Sequence, residues 1–170
     1  MIINIKKLSF VALTTLLFAG CTKQSKDSGP FPLSDVKPVI PVTVTNATAF
    51  RPEPTVTTSI GGGGVIQIIL SIPSGSGRTI KEITKVSAST TATQIYSGTS
   101  GFYNTAPIAG SGNTVTFNTS LTEYFIKKPP SPSNPPAVPD KELANRFFFL
   151  ITLDDNSTII AESVRVLATA

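Results

Sequence analysis

The chain has 170 residues, with 14 Lys and Arg against 10 Asp and Glu, a single Cys, a single Met, and neither His nor Trp. Without histidine there is no imidazole base, no Ser-His-Asp or Cys-His nucleophile pair and no His-containing zinc site. A chain of this length accommodates one ordinary domain and a targeting sequence.

The chain opens with MIINIKKLSFVALTTLLFAGC, in which Lys6 and Lys7 precede an apolar stretch from Leu8 to Gly20 and the small residues Ala19 and Gly20 stand directly before Cys21. A basic n-region, an h-region inside the roughly 7–15 residue range and a small-residue cleavage site predict a signal peptide over 1–20. The stretch falls short of the roughly 20 residues that a membrane-spanning helix needs. Leu17, Ala19, Gly20 and Cys21 resemble the lipobox of bacterial lipoproteins, with Phe18 where that family prefers leucine. The resemblance implies that Cys21 is acylated and becomes the mature N-terminus. It also accounts for a lone thiol in an exported chain. Several acyl chains, at about 0.8 kcal/mol per buried CH₂, would hold the protein on a membrane.

Loss of Lys6 and Lys7 with the signal leaves 12 cations against 10 anions, a net charge of +2. The remaining cations are scattered, without a basic stripe interleaved with aromatics, so no nucleic-acid partner is expected. Residues 21–41 mix Ser, Lys, Asp, Gly and Pro without a hydrophobic period. Such a segment cannot bury enough apolar area to offset its ordering entropy, and it reads as a tether. Lys23, Lys26 and Asp27 are similar to the charged surface-export signals of Bacteroidetes lipoproteins, although those favour an acidic run. An outer-membrane location follows from these resemblances, with the surface and periplasmic faces both open.

From residue 42 to 170 the composition turns to Thr, Val, Ile, Ser and Phe, broken at short intervals by Gly, Pro, Asn and Asp. That pattern predicts many short strands. Strands are expected at Val42–Thr45, Thr55–Ile60 and Val65–Ile72, the last apolar enough to be central. The glycine run Gly61–Gly64 lacks a following Lys-Ser or Lys-Thr pair and a helix, so it reads as a connection rather than a phosphate cradle. Thr79–Val86 and Thr93–Tyr96 are expected strands, with a bulge between Ile80 and Ile83 where the period slips. Val115–Phe117 follows a turn at Gly110–Asn113. Ser120-Leu121-Thr122-Glu123 fits a capping box, in which the serine caps the helix and the glutamate reaches back, so a short helix is expected near 120–127. Six prolines between Lys127 and Asp140 predict a stiff, extended surface loop. Phe147–Leu153 and Thr158–Leu167, joined by Asp154-Asp155-Asn156-Ser157, predict a terminal hairpin. The fold class expected is all-β: an antiparallel sandwich of immunoglobulin type with about seven strands.

Asp154, Asp155 and Asn156 are the one weak candidate for a metal, offering hard oxygens to calcium, but no glutamate completes the set and hairpin turns favour these residues anyway. No cofactor is expected. The carboxylates Glu82, Glu123, Glu142, Asp154, Asp155 and Glu162 have no motif linking them, and no catalytic residue is assigned. Tyr96, Phe102, Tyr103 and Tyr124 lie nearest loops and are the candidates for stacking on a sugar or peptide, set against a role in the core.

The segments GFYNTAPIAGSGNTVTFNTSLTEYF, from Gly101, and RFFFLITLDDNSTIIAESVRVLA, from Arg146, resemble small lipoproteins of Bacteroidetes in which a sandwich of immunoglobulin or fibronectin-III character follows a lipobox. The resemblance carries no catalytic residues. It implies a non-catalytic envelope protein, either an accessory protein-interaction or structural module whose proline loop Pro129–Pro139 is a contact, or a glycan binder associated with polysaccharide uptake.

Overall fold

A computed structural model of the protein describes residues 40–50 and 52–170. The predicted signal peptide, Cys21 and all but the last two residues of the predicted tether lie outside them. Ile40 and Val42 pack against the core.

The first strands are β1 (Thr43–Val44), β2 (Ala49–Phe50), β3 (Pro54–Ser59) and β4 (Val65–Ser71). After a single 3₁₀ turn come β5 (Ile80–Ser89), helix α1 (Thr93–Ser97), β6 (Ile108–Ala109), β7 (Thr114–Ser120) and helix α2 (Leu121–Lys127). The chain closes with β8 (Lys141–Glu142), β9 (Arg146–Leu153), β10 (Thr158–Ile160) and β11 (Arg165–Thr169). Seven of these strands have three residues or more, and the fold is all-β and sandwich-like. No helix among the described residues is long and apolar enough to cross a membrane.

Three hydrogen-bonded sheets form, in the orders β1-β4-β7, β10-β9-β5-β6 and β2-β3-β11-β8. Every pairing is antiparallel except that of β3 with β11, which run parallel from Thr55 beside Arg165 to Ser59 beside Thr169. Strict alternation in β4 and β7 sends Ile66, Ile68, Leu70, Val115 and Phe117 inward. They meet Phe147, Phe149 and Ile151 of β9, with Phe117 5.3 Å from Phe147 and 5.5 Å from Phe149 between ring centroids. In β5 the inward residues Ile80, Ile83 and Val86 are spaced by three. Register shifts between Ile80 and Glu82 and between Ile83 and Lys85 insert one residue each time, so all three still reach the core. The slip expected between Ile80 and Ile83 is therefore present, and a second follows it.

Two expected strands differ. Thr93–Tyr96 is the helix α1. Alternation along Phe147-Phe148-Phe149 turns Phe148 away from the core onto the face it shares with Ser87, its cross-strand partner, and the Ser87 hydroxyl donates to Gln94 Oε1 of α1 at 2.7 Å. A helix over that face buries Ile95 and leaves Phe148 only 7% exposed, which a further edge strand would not achieve. The second arm of the terminal hairpin also breaks. β10 pairs with β9, then residues 161–164 stay beside β9 through Ala161 N–H to Phe149 and the Val164–Phe147 pair, and β11 departs to join β3. The adjacent Ile159 and Ile160, which blur the alternation, stand just before this change of sheet.

Helix α2 is where the sequence places it. Ser120 caps it by accepting from the Glu123 N–H at 3.1 Å, but the Glu123 carboxylate accepts from the Thr119 hydroxyl and pairs with Lys127, so only half of the capping box forms. The proline loop is not extended throughout. Ser131 and Asn134 exchange both backbone hydrogen bonds, and Asn134 is buried, its amide donating to the carbonyls of Lys128 and Pro129. At Gly61–Gly64 the chain passes from β3 to β4. Gly64 has φ +67°, and a Cβ there would stand 3.0 Å from Leu121 of α2, so glycine is required for contact rather than for looseness.

Candidate functional site

The residues from Ile108 to Ser120 form two arms around a tight turn, in which Ser111 and Thr114 exchange both backbone hydrogen bonds. The arms then diverge. β6 pairs with β5, β7 pairs with β4, and a groove of about 300 Å³ opens between β7 and the loop that leads into β6. Its lining includes Tyr103, Asn104, Pro107, Phe117, Glu123 and Lys127.

The loop wall is fixed by Asn104. Its carboxamide accepts from Val86 N–H at 2.7 Å and donates to the carbonyls of Thr84 at 3.1 Å and Ala106 at 2.9 Å. Beneath it the buried Tyr103 stands edge-on to Phe117, at 5.8 Å between ring centroids, and shares a 2.6 Å hydrogen bond between its hydroxyl and that of Thr119. Burial pushes its phenol pKa up to about 12, against the lowering effect of the Thr119 bond, so Tyr103 stays protonated at neutral pH. Lys127 closes one end. Its Nζ lies 2.7 Å from the Tyr103 carbonyl, 2.6 Å from Glu123 Oε1 and 4.3 Å from the centre of the Tyr103 ring. The hydrogen bond from Lys127 holds the Glu123 carboxyl below the ordinary range, outweighing its burial, with the Thr119 hydroxyl adding to the effect. The groove therefore presents an ionised carboxylate with its cation already in place and a neutral phenol.

The four aromatic candidates part company. Tyr103 and Tyr124 are core residues, with Tyr124 fully buried and its hydroxyl donating to Asn134 Oδ1 at 2.8 Å. Phe102 is partly buried, with the Lys85 ammonium 4.7 Å above its ring. Tyr96 projects from α1 and is 72% exposed. A stacking surface for a ligand reduces to Tyr96 and Phe102.

At the Asp154–Ser157 turn the oxygens suggested for a metal are engaged by cations and by the turn. Arg78 pairs with Asp155 at 2.7 Å and reaches Asp154 at 3.8 Å, while Lys81, displaced by the first β5 bulge, donates to Asn156 Oδ1 at 2.9 Å. Asp155 also accepts from the backbone and hydroxyl of Ser157, and Asn156 takes the left-handed φ of 62° that the turn needs. With Arg78 on the two carboxylates and Lys81 on the Asn156 amide oxygen, a further cation at this turn would be opposed. The other acidic residues are dispersed. Glu142 pairs with Arg165 at 2.5 Å, Glu82 accepts from Thr84, and Glu162 is exposed.

Sequence reasoning passed over Glu53, which stands at a charge cluster. Its carboxylate accepts from Arg146 at 3.0 Å, from Arg165 at 2.6 Å and from the Ser163 hydroxyl. Its cationic partners lie roughly a hundred positions away, so no local spacing announces them.

These features define an all-β, sandwich-like domain with a groove beside β7 and several partly exposed ion pairs. No protein-family model, curated protein or solved structure matches the chain.

Proposed function

We propose that this chain is a lipid-anchored, non-catalytic component of a bacterial outer membrane that serves as a protein-interaction or structural module. The observation that carries this reading is the position of the single cysteine, Cys21, at the end of a basic-then-apolar leader and directly after Ala19-Gly20. Chemistry in the groove supports a binding role rather than proton transfer. Tyr103 keeps its proton and Glu123 is held ionised against Lys127, so neither is poised near neutral pH. The resemblance to Bacteroidetes lipoproteins supports the same setting.

The test is expression of the full-length chain in a diderm bacterium fed labelled palmitate. Wild-type protein is expected to take up label and to sediment with the outer membrane, whereas Cys21→Ala takes up none. An unlabelled wild-type protein would overturn the reading.

A glycan-binding role is favoured by one observation, the exposed Tyr96 ring. Under that reading a broad sugar panel should contain a ligand whose binding is lost in Tyr96→Ala.

A further inference from the structure

The main-chain groups of β7 are divided strictly by alternation. Thr114 gives its N–H and C=O to Ser111, and Leu121 N–H bonds Gly64 C=O. The groups of residues 115, 117 and 119 therefore face β4, and those of Thr116 and Asn118 face away from it. The far side of β4 agrees. The N–H of Ile69 bonds Asn46 Oδ1, the carbonyl of Ile69 accepts from Thr45 N–H, and the carbonyl of Gln67 accepts from Asn46 Nδ2, so its odd-numbered residues point away from β7. Among the described residues nothing pairs with the outward N–H and C=O groups of Thr116 and Asn118.

This edge differs from the others. The edge strands β1, β2, β6 and β8 have two residues each and β10 has three. Such short edges offer little to an incoming chain. β7 has seven residues, TVTFNTS, with no charge, no proline and no bulge. It carries none of the devices of sequence or pairing that protect edges, and among the described residues only the loop across the groove stands near it. At Phe117 and Asn118 its free side opens into the groove, whose opposite wall is pinned by Asn104 and whose end is pinned by Lys127. A wall held in this way cannot fold down onto β7, and it stands where a second folded sheet would have to come. A single extended chain is the partner that fits.

We infer that the groove beside β7 receives one extended segment of a partner polypeptide, which adds to the β4–β7 sheet as a further strand through the main-chain groups of Thr116 and Asn118. Strand addition draws affinity from main-chain hydrogen bonds and selectivity from alternate side chains. Residues of the segment turned inward meet Phe117 and Tyr103, so an uncharged apolar side chain is selected there, while those turned outward lie beside the Thr116 and Asn118 side chains and are free to be polar. The inference deepens the protein-interaction reading and rests on it, but not on the lipid anchor: failure of palmitate labelling leaves strand addition intact, and the reverse.

The experiment selects nine-residue peptides from a display library on the full-length protein in detergent, then follows amide hydrogen exchange by NMR with each selected peptide. Bound peptide is expected to slow exchange at Thr116 and Asn118 at least tenfold, with smaller changes at Val115 and Phe117, which are already paired. Asn118→Pro deletes an outward donor while keeping every main-chain bond to β4, losing only the side-chain bond from Gln67 Nε2 to Asn118 Oδ1, and should weaken binding at least tenfold. Should that variant fail to fold, Ala106→Trp, which fills the groove from the opposite wall, should weaken binding as much. A library that yields no binder, binders that leave Thr116 and Asn118 exchanging freely, or binding unchanged in Ala106→Trp would each overturn the inference.

Discussion

At the scale of single residues, the polar groups inside this domain are placed where one side chain satisfies several needs. Tyr124 is fully buried, and its hydroxyl donates to Asn134 Oδ1 at 2.8 Å while accepting from Asn145 Nδ2 at 2.9 Å. Asn134 in turn fastens the proline loop to the end of α2 through the carbonyls of Lys128 and Pro129. Removing the hydroxyl leaves the two asparagines only their longer mutual bond, Asn145 Nδ2 to Asn134 Oδ1 at 3.3 Å, at a site where a lost hydrogen bond costs about 1–3 kcal/mol. Tyr124→Phe should therefore lower the unfolding free energy by about that much in urea, with an unchanged m-value, since the aromatic packing against Phe125 and Phe147 is kept. A loss below a few tenths of a kcal/mol would show that the triad contributes nothing. The burial of Tyr124 and Tyr103 follows from tertiary partners that a sequence does not display, whereas on α1 the buried position is taken by Ile95 and Tyr96 is left outside.

Elements are fixed by where the chain is allowed to cross itself. At the hairpin that opens the groove, Gly110 donates its N–H to Lys81 C=O at 2.8 Å, and a Cβ on it would run into the carbonyl of Ile80. Gly110→Ala must push β6 from β5, at about 1–3 kcal/mol for an overpacked contact. Its unfolding midpoint should fall accordingly, and an unchanged midpoint would mean that the two arms separate without strain. The sequence makes β4, β7 and the β9–β10 hairpin legible because each is decided locally, by alternation or by a turn of Asp and Asn. It makes α2 legible through Ser120. It does not disclose α1, since Thr93–Ser97 has the β-branched and aromatic content of a strand and is helical in order to cover Phe148 and to place Gln94 against Ser87. Nor does it disclose the break after Ile160, because the preference of β11 for β3 is a contact between the two ends of the domain. The groove was equally hidden: neither its floor residues nor the free edge of β7 has a local signature, although a neutral seven-residue strand between a turn and a helix cap is a signal that could have raised the question.

At the scale of the whole molecule, the place where the chain leaves the β9 sheet for β3 is held by charge. Glu53 precedes β3, Arg146 begins β9, Ser163 lies in the crossover and Arg165 begins β11, and all three partners converge on the Glu53 carboxylate. Burial by itself would raise the Glu53 pKa. The hydrogen bonds from Ser163 and Arg165 and the charges of Arg146 and Arg165 outweigh it, so the carboxyl titrates below its ordinary value of 4.5. In the unfolded chain that carboxyl takes its proton first. As pH falls from about 4.5 the unfolded state therefore binds more protons than the folded one, and the stability contributed by Glu53 is complete above that range and lost through the folded pKa. Glu123, also held low by Lys127, adds a second contribution of the same sign. Glu53→Gln should lower the melting temperature at pH 7, where Arg146 and Arg165 lose their shared anion, and should flatten the decline between pH 5 and pH 3 without abolishing it, since Glu123 remains. Thermal melts of the two proteins across that range decide the matter: curves that stay parallel down to pH 3 would place the acid sensitivity elsewhere, and convergence toward low pH would locate it at the corner where the two sheets are joined.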